Sequence, residues 1–309
     1  MNVSPYILLA LTSFFWSLNF IIGKILSDLS PPATINFFRW LLPFLILLPF
    51  SWKEIRANQT LFMARWPLIL FLGATGYSLN SIALYEAVRF TTTINASFIN
   101  AFNPVLIAVA GYVLYDERIT RVQLLGFALS LAGVLCIVFK GNLGQVFSLR
   151  VNVGDLLMLG SISIFSIHTV LYKKKAPGFP ERSMFTLMIL GGLLATLPLV
   201  FLENRGTHLS WIHQVRSIHI IGMLCLNIFP SLLAYQFWNS ALKKVSANQV
   251  AIFLYLIPIY TTVISLLFLD ESLRRYQILG GFLIFVGVLL VTNSRDPGNQ
   301  QRRAVDRSP

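Results

Sequence analysis

Polar and aromatic side chains interrupt the long apolar stretches of this sequence, and their types suit the binding of a small polar molecule. A helix satisfies its own backbone, so a buried amide needs a partner from another helix, water or a ligand. Trp16 and Asn19 lie one turn apart and share a helix face, as do Tyr77 and Asn80.

We interpret the following residues as the lining of a polar and aromatic cavity: Trp16, Asn19, Tyr77, Asn80, Asn100, Asn103, His168, Tyr235, Trp238, Asn239 and Tyr255. For any one of them, packing between helices or a place in an interfacial aromatic belt is the alternative. The elements that carry these residues therefore decide what the residues can do.

Composition identifies those elements as membrane-spanning helices. The chain has 309 residues, of which 56% are hydrophobic and 12% are charged, and its mean hydropathy is +0.71. A soluble domain has about 25% charged residues, so this chain lacks the charge that a water-exposed surface needs. Cys136 and Cys225 lie deep in apolar runs, which excludes a secreted disulfide scaffold. The remaining class is an integral membrane protein.

Ten apolar runs are long enough to be spanning helices, each needing roughly 20 residues. The predicted spans are Tyr6–Leu26, Thr34–Phe50, Trp66–Val88, Thr92–Tyr115, Gln123–Phe139, Val153–Tyr172, Ser183–Leu202, Arg216–Leu242, Gln249–Leu269 and Tyr276–Thr292. The second run is short and contains Pro43, so it is the least regular.

The net charge of +12 comes from short basic clusters between the runs, which suits anionic lipid rather than nucleic acid. With ten spans, the side that holds both termini carries 15 Lys and Arg residues, against 9 on the other side. The positive-inside rule therefore places both termini in the cytoplasm.

Proton coupling would need an ionisable group at membrane depth. Glu86, near the end of the third span, and His168, within the sixth, are the two candidates. The alternative for Glu86 is an interfacial acid paired with Arg89, one turn away. The alternative for His168 is a hydrogen-bonded packing residue.

The sequence repeats itself. Shifted by 154 residues, Asp116-Glu117 aligns with Asp270-Glu271, and the pattern D-E-x3-R-x-Q-x-L-G-x2-L-x3-G-V-L begins at each pair. We therefore predict two five-helix repeats, residues 1–141 and 142–293, followed by a disordered tail at 294–309. Because five is odd, the second repeat must cross the membrane in the opposite sense. Inverted repeats are typical of secondary transporters, whose substrate site lies near the midplane.

The repeats also contain matched residues with mechanical consequences. Pro104 and Pro258 lie inside equivalent helices, where each removes a backbone hydrogen bond, and they are candidate hinges or static kinks. Glycines seven residues apart, 126 and 133 in one repeat and 280 and 287 in the other, predict smooth faces that hold the halves together. The acidic pairs are expected to complement the dipoles of the helices that they precede.

The order of several motifs resembles the EamA-type members of the drug/metabolite transporter superfamily. These motifs are Trp16-Ser17-x-Asn19-Phe20-x3-Lys24, Arg39 opening the second span, Pro104, and the acidic pair with its echo. The resemblance implies ten helices, efflux or exchange of small metabolites, often amino acids, and a bacterial inner membrane. Small four-helix members of the superfamily carry protons on a carboxylate in the first helix; the first span here has none.

The sequence thus predicts an all-α secondary transporter that exports small metabolites, such as amino acids, by alternating access. A nucleotide-sugar-like exchanger, a membrane enzyme and a structural protein are the alternatives. P-loop, H-E-x-x-H and C-x-x-C motifs are missing, so we expect no catalytic residues, no metal and no cofactor. The expected partners are a small-molecule substrate and the lipid bilayer; the sequence sets no oligomeric state, and a monomer is compatible with it.

Overall fold

The computed structural model describes residues 4–116, 119–142, 152–205, 210–242 and 253–293, and these contain helices and loops without a strand. The predicted tail therefore lies outside the described residues. Ten principal helices follow one another in the described residues: α1 (Pro5–Ser27), α2 (Pro32–Ala57), α3 (Trp66–Phe90), α4 (Thr93–Asn100 and Asn103–Tyr115), α5 (Arg121–Val138), α6 (Val153–Lys175), α7 (Glu181–Glu203), α8 (Ser217–Leu242), α9 (Leu256–Phe268) and α10 (Arg275–Asn293). Short helical turns at Gln59–Ala64 and Ser210–Gln214 lie in loops.

These helices match the predicted spans, and the prediction of an all-α membrane protein is confirmed. In the described part of the chain, seven helices are long and apolar enough to cross a membrane, and the bent pair in α4 makes an eighth. Helices α9 and α10 are shorter but apolar. The second span exceeds its predicted length, because α2 continues through Pro43 and Pro49 to Ala57.

Helices α5 and α10 make the most extensive contact between two helices. A methyl group placed on Gly126 would lie 2.5 Å from the carbonyl oxygen of Gly287, and one on Gly133 would lie 2.5 Å from that of Gly280. The start of α5 thus meets the end of α10, so the two helices are antiparallel. This is the direction that inverted repeats require of equivalent helices, and the glycine contact predicted from the sequence is present.

The other large contacts come in equivalent pairs. When each helix of the first five is replaced by its equivalent among the last five, and the reverse, one contact of a pair becomes the other. Helix α1 packs on α8 and α9, whereas α6 packs on α3 and α4. Helices α2 and α7 pack on each other, with Asn36 donating to Thr196 Oγ1 (3.1 Å) and Ser51 hydrogen-bonded to Thr186 (2.8 Å). A residue near the start of α2 therefore meets one near the end of α7, so this pair is antiparallel as well.

Glu271, in the acidic pair at 270–271, hydrogen-bonds to a helix other than the one that the pair precedes. The Glu271 carboxylate accepts hydrogen bonds from the backbone N–H groups of Thr93 (2.8 Å) and Ile94 (3.1 Å), at the start of α4. The prediction that this pair complements the dipole of α10 is therefore wrong for Glu271, whose carboxylate caps α4 instead. Glu117, in the matching pair, lies outside the described residues. Helix α5 instead begins with a capping box formed by Thr120 and Gln123.

Candidate functional site

A group of aromatic side chains fills the centre of the bundle where helices from both halves of the chain meet. We call Trp16, Trp40, Tyr77, Phe185 and Tyr235 the aromatic cluster. Ring centroids are 4.9 Å apart for Trp40 and Tyr77, 5.5 Å for Phe185 and Tyr235, and 5.8 Å for Trp16 and Tyr235. Trp238 extends the cluster at 5.1 Å from Trp16. The cluster thus connects α1, α2 and α3 with α7 and α8.

Two π-helical turns support this cluster at matching places in the chain. The turns are Ala74–Leu79 in α3 and Asn227–Leu233 in α8, and a shift of 154 residues places Leu79 on Leu233. A π turn disturbs the regular hydrogen bonds of a helix and is frequent at functional sites. Tyr77 lies within the first turn, and Tyr235 follows the second by two residues.

His168 on α6 contacts the π turn of α3. Its Nδ1 lies 3.0 Å from the carbonyl oxygen of Leu72, so Nδ1 carries the hydrogen and a neutral ring keeps Nε2 as an acceptor. The ring packs edge-on against Tyr77 (5.7 Å) and stacks on Tyr172 (6.0 Å). A methyl group on Gly76 would lie 2.5 Å from Nδ1, so only glycine leaves room for the ring.

Arg39 lies beside the aromatic cluster, at the centre of a hydrogen-bonded network. Its Nε donates to Ser231 Oγ (3.0 Å) and its Nη1 donates to the hydroxyl of Tyr85 (2.9 Å). The Tyr85 hydroxyl in turn donates to Asn19 Oδ1 (2.8 Å). The guanidinium carbon is 5.0 Å from the ring centroid of Trp40. We call Asn19, Arg39, Tyr85 and Ser231 the Arg39 network; it joins α1, α2 and α3 to α8.

The prediction that Arg39 opens the second span and adds to the loop charges is wrong. Arg39 is the eighth residue of α2 and is 4% exposed. At 1.5 Å per residue it lies about 10 Å along the helix from Pro32. Arg39 lies inside the predicted apolar run Thr34–Phe50, and this position could have indicated a buried charge. An arginine at that place in a spanning helix is surrounded by the bundle rather than by water.

Comparisons with known proteins agree with this architecture. The sequence model of the EamA-like transporter family matches residues 3–139 and 152–293. The chain belongs to the EamA-like transporter family. The resemblance stated from the sequence is therefore confirmed, and the molecule is a multi-pass membrane transporter.

Several relatives are similar over nearly the whole chain. An "Uncharacterized transporter" of Archaeoglobus fulgidus is 29% identical over 94% of this chain and 98% of its own. A "Probable amino-acid metabolite efflux pump" of Salmonella typhimurium is 25% identical over 89% and 90%, and one of Escherichia coli is 23% identical over the same shares. A solved crystal structure with 17% identity matches with a TM-score of 0.60 over 96% of this chain and 97% of that chain, which supports the fold alone.

Other candidate residues of this EamA-like transporter lie outside the aromatic cluster. Asn103 accepts a hydrogen bond from Ser166 on α6 (2.8 Å), and Asn80 accepts one from Ser81 (3.2 Å). Tyr255 packs edge-on against Phe285 of α10 at 4.9 Å, so it belongs to the apolar packing between helices. Asn100 is half-buried at the bend of α4, and the side chain of Asn239 lies outside the described residues.

The bend of α4 coincides with Pro104. The two segments of α4 meet at 40°, and Pro104 is the second residue of the second segment. Pro258 is the third residue of α9, in the matching position. The predicted break in α4 is therefore present, while its use as a hinge stays a prediction.

Two carboxylates of the transporter have clear surroundings. Glu86 forms an ion pair with Arg89 (2.9 Å) in which both side chains are partly exposed, which matches the interfacial alternative. Asp155 at the start of α6 is fully buried and accepts a hydrogen bond from Thr91 (2.6 Å). Asp155 is absent from the residues predicted from the sequence, although its place as the third residue of a predicted span could have indicated a buried acid.

Proposed function

We propose that this transporter exports small amphipathic metabolites, amino acids among them, by alternating access at the aromatic cluster. One observation carries the proposal: the cluster is made of side chains from α1, α2 and α3 on one side and α7 and α8 on the other. A movement that separates the two halves at this point would therefore open the cluster. The efflux-pump descriptions of two relatives agree with the export of amino-acid metabolites.

The chemistry of the cluster suits such substrates. Tryptophan and tyrosine rings offer apolar faces and polar edges, so they bind an amphipathic molecule without requiring a fixed shape. The two π turns and the bend in α4 are places where helices change direction without unfolding. No ATP-binding motif is present in the sequence. We therefore propose that the substrate either moves down its own concentration gradient or is driven by an ion gradient.

We further propose that the transporter lies in the bacterial inner membrane with both termini in the cytoplasm, and that residues 1–141 and 142–293 move as two units. The excess of Lys and Arg on that side supports the orientation.

The test is flux through purified protein in liposomes loaded with a panel of labelled amino acids and related metabolites. We expect saturable flux for part of the panel, and loss of most of it in Tyr235→Leu, which removes a ring shared by four contacts of the cluster. Tyr112→Leu is the matched control, because Tyr112 is half-exposed on α4. Absence of flux for the whole panel would contradict the proposal.

A further inference from the structure

Arg39 is a buried cation whose hydrogen-bond partners among the described residues are all uncharged. It is 4% exposed, and its described hydrogen bonds go to uncharged oxygens of Ser231, Tyr85 and, at 3.5 Å, Ser81. The ion pairs among the described residues join Lys24 to Asp28 and Arg89 to Glu86. A charge inside a protein is normally paired, and a charge at membrane depth marks a functional site whose partner must be named.

The network leaves one part of the guanidinium available. Tyr85 and Ser231 donate their own hydrogens to Asn19 Oδ1 and to the Leu226 carbonyl oxygen, so they offer lone pairs to Nη1 and Nε. Nη2 has no hydrogen bond to a described residue. Arginine binds carboxylates through parallel N–H bonds, and such charge-assisted bonds are about twice as strong as neutral ones. The network therefore holds Arg39 in a fixed orientation and leaves the N–H donors of Nη2 without a partner among the described residues.

The surroundings of Arg39 define the rest of the ligand. The guanidinium lies 5.0 Å from the ring centroid of Trp40, and that ring touches Tyr77 and Tyr235 of the aromatic cluster. A molecule whose anionic end meets Arg39 would place its apolar body against these rings. Among the described residues no carboxylate hydrogen-bonds to Arg39, and Glu86 is paired with Arg89. The site therefore offers a charged partner for a carboxylate and none for an ammonium group.

We propose that Arg39 binds the carboxylate of the transported molecule, so that the substrate class is small carboxylates with an apolar body. The proposal rests on the export function proposed above. It makes a specific statement about amino acids: their carboxylate is required, whereas their α-amino group is dispensable.

The test compares four molecules with the same apolar body: leucine, 4-methylpentanoate, leucinamide and 3-methylbutylamine. Binding to the purified transporter is followed by tryptophan fluorescence, since Trp40 lies next to the guanidinium. We expect leucine and 4-methylpentanoate to bind at least about 30-fold more tightly than the two molecules without a carboxylate. Equal affinities across the four molecules would overturn the proposal without any variant being needed.

Variants separate substrate binding from a structural role of Arg39. In R39Q the preference for carboxylates should disappear, and R39K should restore part of it, because lysine keeps the charge but loses the planar geometry. Arg89→Gln is the matched control: it makes the same change at a partly exposed arginine that pairs with Glu86 outside the Arg39 network. A folded R39Q protein that still prefers carboxylates, or an Arg89→Gln protein that loses the preference as completely, would contradict the assignment.

Flux measured on the same panel distinguishes this proposal from the export function. Flux of leucinamide and 3-methylbutylamine equal to that of leucine would overturn the role of Arg39 and leave export intact. A carboxylate preference in binding with no flux for any molecule would support Arg39 and contradict export.

Discussion

The two halves of the chain meet in two places that are built from opposite materials. Between α5 and α10 the contact is backbone against backbone, with glycines at 126 and 133 facing glycines at 287 and 280. At the bundle centre the contact is ring against ring, in the aromatic cluster, with centroids 4.9–6.1 Å apart for Trp40, Tyr77 and Tyr235. At the glycines backbone meets backbone, whereas the aromatic cluster consists of side chains that can rearrange.

This difference assigns different mechanical roles to the two contacts. Close backbone packing has one geometry, because any shift creates a clash or an empty space. Aromatic rings with a hydrogen-bonding edge can exchange one neighbour for another, or for a substrate, with little loss. We therefore expect α5 and α10 to hold the halves together while the aromatic cluster opens and closes.

The largest expected effect breaks the rigid contact. Gly133→Leu places a side chain where a first carbon would already lie 2.5 Å from the carbonyl oxygen of Gly280. Overpacking of this kind destabilises by about 3 kcal/mol or more when backbone must move. We expect the variant to lose its folded peak in size-exclusion chromatography and to unfold at lower temperature.

Gly160→Leu is the control for that substitution. Gly160 also lies in a spanning helix, but a carbon placed on it would meet nothing within 4 Å. A Gly133→Leu protein as stable as Gly160→Leu would show that α5 and α10 do not form the rigid contact.

A smaller effect is expected at His168, where α6 meets the π turn of α3. His168→Phe keeps an aromatic ring against Tyr77 and Tyr172 but removes the hydrogen bond to the Leu72 carbonyl oxygen. We expect a loss of about 1 kcal/mol in stability. Because the ring is hydrogen-bonded and packed, we also expect the pH dependence of flux to stay unchanged. Loss of that dependence would instead identify His168 as the coupling residue.

The smallest effects concern the carboxylates at the surface of the bundle. The Glu203 carboxylate accepts hydrogen bonds from the backbone N–H groups of Ala33 (2.9 Å) and Thr34 (3.3 Å), at the start of α2. Glu203→Gln keeps an acceptor but removes the charge that complements the helix dipole, so we expect a loss of about 0.5–1 kcal/mol, measured by thermal unfolding. Glu86→Gln, which breaks an exposed ion pair, should change stability by less than Glu203→Gln does. The reverse order would contradict the assignment of Glu203 as a helix cap.

Features that depend on local pattern could be predicted from the sequence. Hydropathy predicted the positions of all ten helices. The self-similarity of the chain predicted the glycine contact of α5 with α10, because equivalent helices that lie on a two-fold axis face each other. Trp16, Tyr77 and Tyr235, three members of the predicted cavity lining, are neighbours in the structure, while their role in binding a substrate stays a prediction.

Features that depend on a distant partner could not be predicted in this way. The environment of Arg39 is set by Ser231, 192 positions later in the chain, and Glu271 caps a helix that begins 178 residues before it. The π turns leave no sequence signature of their own, because they arise where a helix adjusts to its neighbours. A search for charged residues inside predicted spans would have found both Arg39 and Asp155.

The most direct test of the account measures both contacts in one protein. After Cys136 and Cys225 are replaced, spin labels at Trp66 on α3 and Gln236 on α8 report on the opening of the aromatic cluster, and labels at Leu124 on α5 and Phe282 on α10 report on the glycine contact. All four side chains are exposed in the structure. Saturating leucine should shift the distance between labels 66 and 236 and leave that between 124 and 282 unchanged. A shift between 124 and 282 with a fixed distance between 66 and 236 would contradict the account.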